Sequence, residues 1–93
     1  MVRHSYFSGD VIDYYERKFN GKKIVKHIFT LNEGILDGVW KDYYPTGILY
    51  RQRTFKKVGD KHVKEGVFAI YNRMGELIRY QIYKNDKLVE ETL

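Results

Sequence analysis

Cysteine is absent from the 93 residues, which excludes disulfides, thiol catalysis and Cys-based zinc or iron–sulfur sites. A cysteine-free chain also suits a reducing cytoplasm, the expected location. Serine occurs only at Ser5 and Ser8, near the N-terminus, and no Gly-x-Ser-x-Gly elbow is present. The histidines, His4, His27 and His62, lie far apart, with none at the i, i+4 spacing of a helical metal site. The glycines are dispersed rather than gathered into a phosphate-binding loop. No run approaches the roughly 18 apolar residues that a membrane-spanning helix needs, and Met1-Val2-Arg3-His4-Ser5-Tyr6 lacks the apolar stretch of a signal peptide. These absences point to a protein without enzymatic activity, cofactor, metal or membrane insertion.

What is abundant is aromatic and basic. Phe, Trp and Tyr make up 16% of the chain, nine of them Tyr, which argues against disorder. Seventeen Lys and Arg against 12 Asp and Glu leave a net charge of +5, a balance that favours acidic partners. The length accommodates one domain, residues 1–93, burying only about 60 to 65% of the surface of the unfolded chain.

The aromatic residues recur with a period. Gly9-Asp10-Val11-Ile12-Asp13-Tyr14-Tyr15, Gly38-Val39-Trp40-Lys41-Asp42-Tyr43-Tyr44 and Gly66-Val67-Phe68-Ala69-Ile70-Tyr71-Asn72 start 29 and then 28 residues apart. Each has an apolar residue two after its glycine and a tyrosine five after it. A second glycine, Gly21, Gly47 or Gly75, is followed eight residues later by Phe29, Phe55 or Tyr83. The repeats span about 9–37, 38–65 and 66–90. Their Tyr-, Val-, Ile- and Phe-rich runs suit strands, and Asn20-Gly21, Pro45-Thr46-Gly47 and Arg73-Met74-Gly75 suit turns. The expected fold is all-β: three consecutive β-hairpins, about six strands, forming one twisted antiparallel meander. Residues 10–19 admit a second reading, a short helix capped by Asp10 and stopped at Asn20-Gly21. Between copies, Asn32-Glu33-Gly34 and Asn85-Asp86 read as return turns, and Val58-Gly59-Asp60 as a third within Lys56-Lys57-Val58-Gly59-Asp60-Lys61-His62-Val63-Lys64, a longer, solvated basic loop.

The segment Asp37-Gly38-Val39-Trp40-Lys41-Asp42-Tyr43-Tyr44-Pro45-Thr46-Gly47-Ile48-Leu49 resembles the MORN-variant repeat of the YwqK-type antitoxin family. So does the third copy, through Gly66, Phe68, Tyr71, Gly75 and Leu77, then Tyr83-Lys84-Asn85-Asp86-Lys87-Leu88, where Asp86 stands in place of the usual glycine. The resemblance covers roughly residues 9–90. It implies stacked β-hairpins without enzymatic activity, used for protein contacts, or for lipid surfaces in related repeats. An antitoxin, or a phage-encoded inhibitor reusing the hairpin, fits that description.

Strand alternation sorts candidate site residues by face. Counted from the second glycines, Lys23-Val25-His27-Phe29, Leu49-Arg51-Arg53-Phe55 and Leu77-Arg79-Gln81-Tyr83 share one side. Stacking in register places Arg51 beside Arg79, and Arg53 beside His27 and Gln81, as a mostly positive patch. The other side, with Ile24, Ile28, Ile48, Tyr50, Ile78, Tyr80 and Ile82, is expected to form the core, joined by Val11, Trp40 and Phe68. Asp13 and Asp42, at one repeat position, read as solvent-facing. Outward tyrosines such as Tyr44 suit a protein interface. The candidate binding residues are therefore Arg51, Arg53, Arg79, His27 and Tyr44. An acidic protein is the first-choice partner, and nucleic acid or another polyanion, engaged with help from Lys56–Lys64, is the alternative. A single sheet with an apolar side to hide also carries the expectation of a homodimer through a face or edge.

Overall fold

A computed structural model describes residues 6–92. Eight strands are present: β1 (Gly9–Tyr14), β2 (Val25–Asn32), β3 (Ile35–Leu36), β4 (Gly38–Tyr43), β5 (Leu49–Val58), β6 (Lys61–Tyr71), β7 (Leu77–Lys84) and β8 (Lys87–Thr92). They form one antiparallel sheet in the order β1-β2-β4-β5-β6-β7-β8, with β3 paired to β2. The described residues contain no helix, so residues 10–19 resolve as β1 followed by a bend, not as the helical alternative. The three-hairpin meander holds, with eight strands in place of six. The two additional strands, β3 and β8, follow the return turns Glu33-Gly34 and Asn85-Asp86, and the basic stretch lengthens β5 and β6. That stretch is no loop. Lys56, Lys57 and Val58 pair with Val63, His62 and Lys61, extending the β5–β6 hairpin to a two-residue turn at Gly59-Asp60.

The repeat is visible in the hydrogen bonds. Tyr44 N–H donates to the Ile48 carbonyl at 2.8 Å, and Asn72 N–H to the Glu76 carbonyl at 2.9 Å. Tyr15 N–H makes the same bond to Ile24 at 2.9 Å, but copy one spans it with a longer loop, pinched into a small hairpin by Phe19 and Lys22. Beside each of these closures the pairing slips: Asp13, Asp42 and Ile70 pair with His27, Arg51 and Arg79, but Tyr14, Tyr43 and Tyr71 pair with Val25, Leu49 and Leu77. Lys26, Tyr50 and Ile78 are the extra residues of three equivalent bulges, which bend and twist the sheet.

Tyrosine hydroxyls tie one copy to the next. Tyr15 donates to the Tyr43 carbonyl at 2.6 Å, and Tyr44 donates to the Tyr71 carbonyl at 2.7 Å. In copy three Asn72 takes this place and turns inward on its own turn, accepting from Met74 and Glu76 N–H. The ladder ends there. The starting glycines have a comparable role: a Cβ on Gly66 (φ +108°) would lie 3.2 Å from Thr54 Cβ and Cγ2, and one on Gly38 (φ +128°) 3.6 Å from Thr30 Cβ. The backbone conformation and the neighbouring threonine both favour a residue without a side chain. Asp86 sits at φ +68°, a conformation Asp tolerates better than most residues. Its carboxylate also accepts from Lys64 N–H at 2.7 Å.

The sheet measures 50 × 38 × 12 Å, one layer thick. Among the described residues only Phe55, Phe68 and Ala69 are buried. Ile24, Ile28, Ile48, Tyr50, Tyr80 and Ile82 are half-buried and Ile78 is exposed, so the expected isoleucine core is a partly covered face rather than an interior.

Candidate functional site

Direct pairing assigns the faces. Across the sheet, Asp13 faces His27, which faces Asp42, then Arg51, Ile70 and Arg79. The next row on this side runs from Trp40 through Arg53, Phe68 and Gln81 to Glu91. His27, Arg51, Arg53 and Arg79 thus share one face, as expected from alternation. Neighbours differ from the expectation: a strand stands between copies, so Ile70 separates Arg51 from Arg79 and Phe68 separates Arg53 from Gln81. Trp40, Phe68 and Val11 also lie on this arginine face, not with the isoleucines. The reason is the bulges. Each starting glycine counts forward into a different register from the second glycine, and one slipped residue changes the face.

Placing aromatics and cations together builds the site. Phe29 stacks on Trp40 with centroids 4.1 Å apart, and His27 tilts against both at 5.8 and 5.6 Å. Phe68 packs between Phe55 at 5.5 Å and Tyr83 at 4.8 Å, and His62 meets the edge of Phe55 at 5.2 Å. Between the two clusters lies the Arg53 guanidinium, 5.0 Å from the Trp40 ring and 5.7 Å from Phe55. Lys64 reaches over Tyr83 at 4.8 Å. A cleft of about 420 Å³ opens among these groups, with Arg51, Arg53, His62, Lys64 and Gln81 among the residues that line it.

Asp42 organises the arginines. It is half-buried, not solvent-facing, and accepts from Trp40 Nε1 at 2.9 Å, Arg51 Nε at 2.9 Å and Arg53 Nη2 at 3.5 Å. Burial, followed by the Arg51 charge, pulls the Arg53 pKa below the ordinary guanidinium value, and Asp42 opposes the shift. Arg53 nonetheless remains a cation, with its Nε buried and unpaired. One carboxylate therefore serves two arginines. Arg79 and Lys64 are exposed and make no ion pair among the described residues. His27 lies 3.5 Å from Asp13.

Tyr44 is placed differently. Its hydroxyl is engaged by the Tyr71 carbonyl and its ring packs on Tyr50 at 4.9 Å, with Arg73 over it at 5.9 Å. It joins copies and is at most a flank of the site. Reading the sequence misses Asp42 and Trp40 as site residues. The signal available was local: Trp40 and Asp42 are two apart in one strand and share a face. Among the described residues no group of three or more His, Asp or Glu is arranged to hold a metal ion, and no helix is long and apolar enough to cross a membrane. No protein-family model matches the chain, nor does any curated protein or solved structure compared with it.

Proposed function

We propose that this protein is a non-enzymatic binding module, inhibitor- or antitoxin-like, that grips an acidic protein through its arginine face. The observation that carries the reading is Arg53, held between Trp40 and Phe55 and sharing one carboxylate with Arg51. Such a guanidinium is pre-ordered, so little side-chain entropy remains to be lost on docking. Exposed Arg79 and Lys64 enlarge the positive field around it, and arginine with aromatic neighbours is the usual make-up of interface anchors.

Affinity capture from source-cell lysate, with and without nuclease, tests this when run beside an Arg79→Glu, Lys64→Glu variant. Both side chains are exposed and outside the Asp42 network, so the variant keeps its fold. One acidic protein recovered regardless of nuclease, binding the purified chain directly and losing at least tenfold in affinity with the variant, supports the reading. Equal binding by the variant sinks it. The second reading rests on Lys56, Lys61 and Lys64, exposed along one ordered hairpin tip: recovery that collapses with nuclease and weakens steeply with salt identifies a polyanion binder.

A further inference from the structure

The other face of the sheet shows a different chemistry. One row runs Ile12, Ile28, Lys41, Gln52, Ala69, Tyr80 and Thr92, each directly opposite the next. The adjoining row pairs Asp10 with Thr30, Val39 with Thr54, and Val67 with Ile82 and Glu90. Within these rows the charges are Asp10 and Glu90, on opposite edge strands, and Lys41 between them. The two facing rows on the arginine side carry twice as many: Asp13, Asp42, Arg51, Arg53, Arg79 and Glu91.

Area says how much cover is missing. The chain exposes 7129 Å². Its mass is 11.2 kDa, for which a compact monomer would expose about 5,700 Å², leaving an excess of roughly 1,400 Å². A standard specific interface removes about 800 Å² from each partner and obligate homodimers remove more. The excess is therefore of dimer size. Ile12 is 46% exposed and Val39 38% exposed, in the two rows where charge is sparse.

We infer that this face is covered by a second copy of the chain, making a two-layer β-sandwich closed through Ile12, Ile28, Val39, Val67, Tyr80 and Ile82. Sheets pack face to face at about 10 Å, and a two-fold axis gives both copies the same interface and closes the assembly at two. The arginine face of each copy stays outward, so the dimer is bivalent. Another protein or a lipid surface on the apolar face is the competing occupant.

Sedimentation equilibrium of the full chain from about 1 to 100 μM, a range spanning weak and stable association, reads the result. The expected species has twice the 11.2 kDa chain mass, persists between low and high salt, and is unaffected by Arg79→Glu. Ile12→Lys with Val39→Lys converts it to a monomer with the parent's strand circular dichroism. If that pair unfolds, Gln52→Lys, which adds charge at mid-face without removing apolar contact, is expected to raise the dissociation constant at least tenfold. A parent that is monomeric at the highest concentration overturns the inference and leaves the face to another occupant. So does a dimer indifferent to Gln52→Lys or broken by Arg79→Glu. The arginine-face reading survives either result, since its readout is partner binding.

Discussion

Replacing Asp42 by asparagine keeps the shape and removes the one charge that holds Trp40, Arg51 and Arg53 together. The carboxamide can accept through a single oxygen, so at least one of the three donors loses its partner and both arginines lose theirs as an ion. Two limits bracket the cost. Exposed ion pairs are worth about 0.2 to 1 kcal/mol, whereas breaking a buried pair costs about 3 to 5 kcal/mol. Side-chain exposures of 14% for Asp42, 26% for Arg53 and 36% for Arg51 place the network between these limits. About 2 kcal/mol is the reasoned value, and against a total of roughly 5 to 14 kcal/mol for a chain of this length it is a large share.

Urea and thermal denaturation followed by circular dichroism read the change. At about 4 to 8 °C per kcal/mol for a domain of this size, the midpoint falls by roughly 8 to 16 °C. Asp13→Asn is the control: Asp13 occupies the equivalent repeat position but is 56% exposed with only His27 opposite, and its loss should stay within about 0.5 kcal/mol. If Asp42→Asn is as mild as Asp13→Asn, the arginines do not depend on Asp42, and the pre-ordering argument for the binding face fails with it. A double-mutant cycle with Arg53→Gln should return a coupling of about 1 kcal/mol between the two side chains.

Tyr15→Phe and Tyr44→Phe each remove one rung between repeats and should cost about 1 kcal/mol in urea denaturation; a neutral result for both means the hydroxyl ladder does not stabilise the array. Gly66→Ala meets Thr54 at 3.2 Å in a left-handed backbone, whereas Gly47→Ala (φ +91°) has open space around it. The first should cost about 2 kcal/mol or more and the second about 1, and reversal of that order in thermal melts refutes the contact argument. Asp37 accepts from Lys57 N–H and from Asn32 Nδ2, which hold its pKa below the ordinary value. Because the folded pKa is depressed, its stabilisation is complete above about pH 5 and fades as pH falls through the unfolded value of about 3.9 and then the folded one. The acid limb of stability should be shallower in Asp37→Asn, and identical limbs would show the bonds to be unimportant.

Much of the architecture was legible because the repeat is carried by residues with strong local demands. Gly38 and Gly66 are required where backbone and threonine approach, and Asn20-Gly21 and Glu33-Gly34 supply consecutive positive φ values. The stretch from Lys56 to Lys64, which reads as a basic loop, is strand for a local reason: Lys56, Lys57 and Val58 pair with Val63, His62 and Lys61 around the two-residue Gly59-Asp60 turn, a pairing that the lysine-rich composition masks. The arginine face was legible for a simple cause. His27, Arg51, Arg53 and Arg79 lie on the second strands of the hairpins, where alternation counted within a strand stays valid.

What alternation could not supply was the relation between first and second strands of a hairpin. Trp40 and Phe68 look like core by size, and size groups them with the isoleucines. The bulges at Lys26, Tyr50 and Ile78 move them to the arginines, where Trp40 gives Arg53 a ring and Asp42 a hydrogen bond. A register shift of one residue thereby changes the chemistry of both faces at once. It takes the aromatics from the face that would have been a conventional core and leaves that face with Ile, Val, Thr and Gln, low in charge and thinly covered. It also gives the arginines an apolar seat. The two proposals for this chain, an acidic partner on one face and a second copy on the other, are consequences of the same three bulges. Gly38, at the start of β4, and Gly66, within β6, let the backbone pass close to Thr30 and Thr54 of the neighbouring strands and so hold the register on which both faces depend.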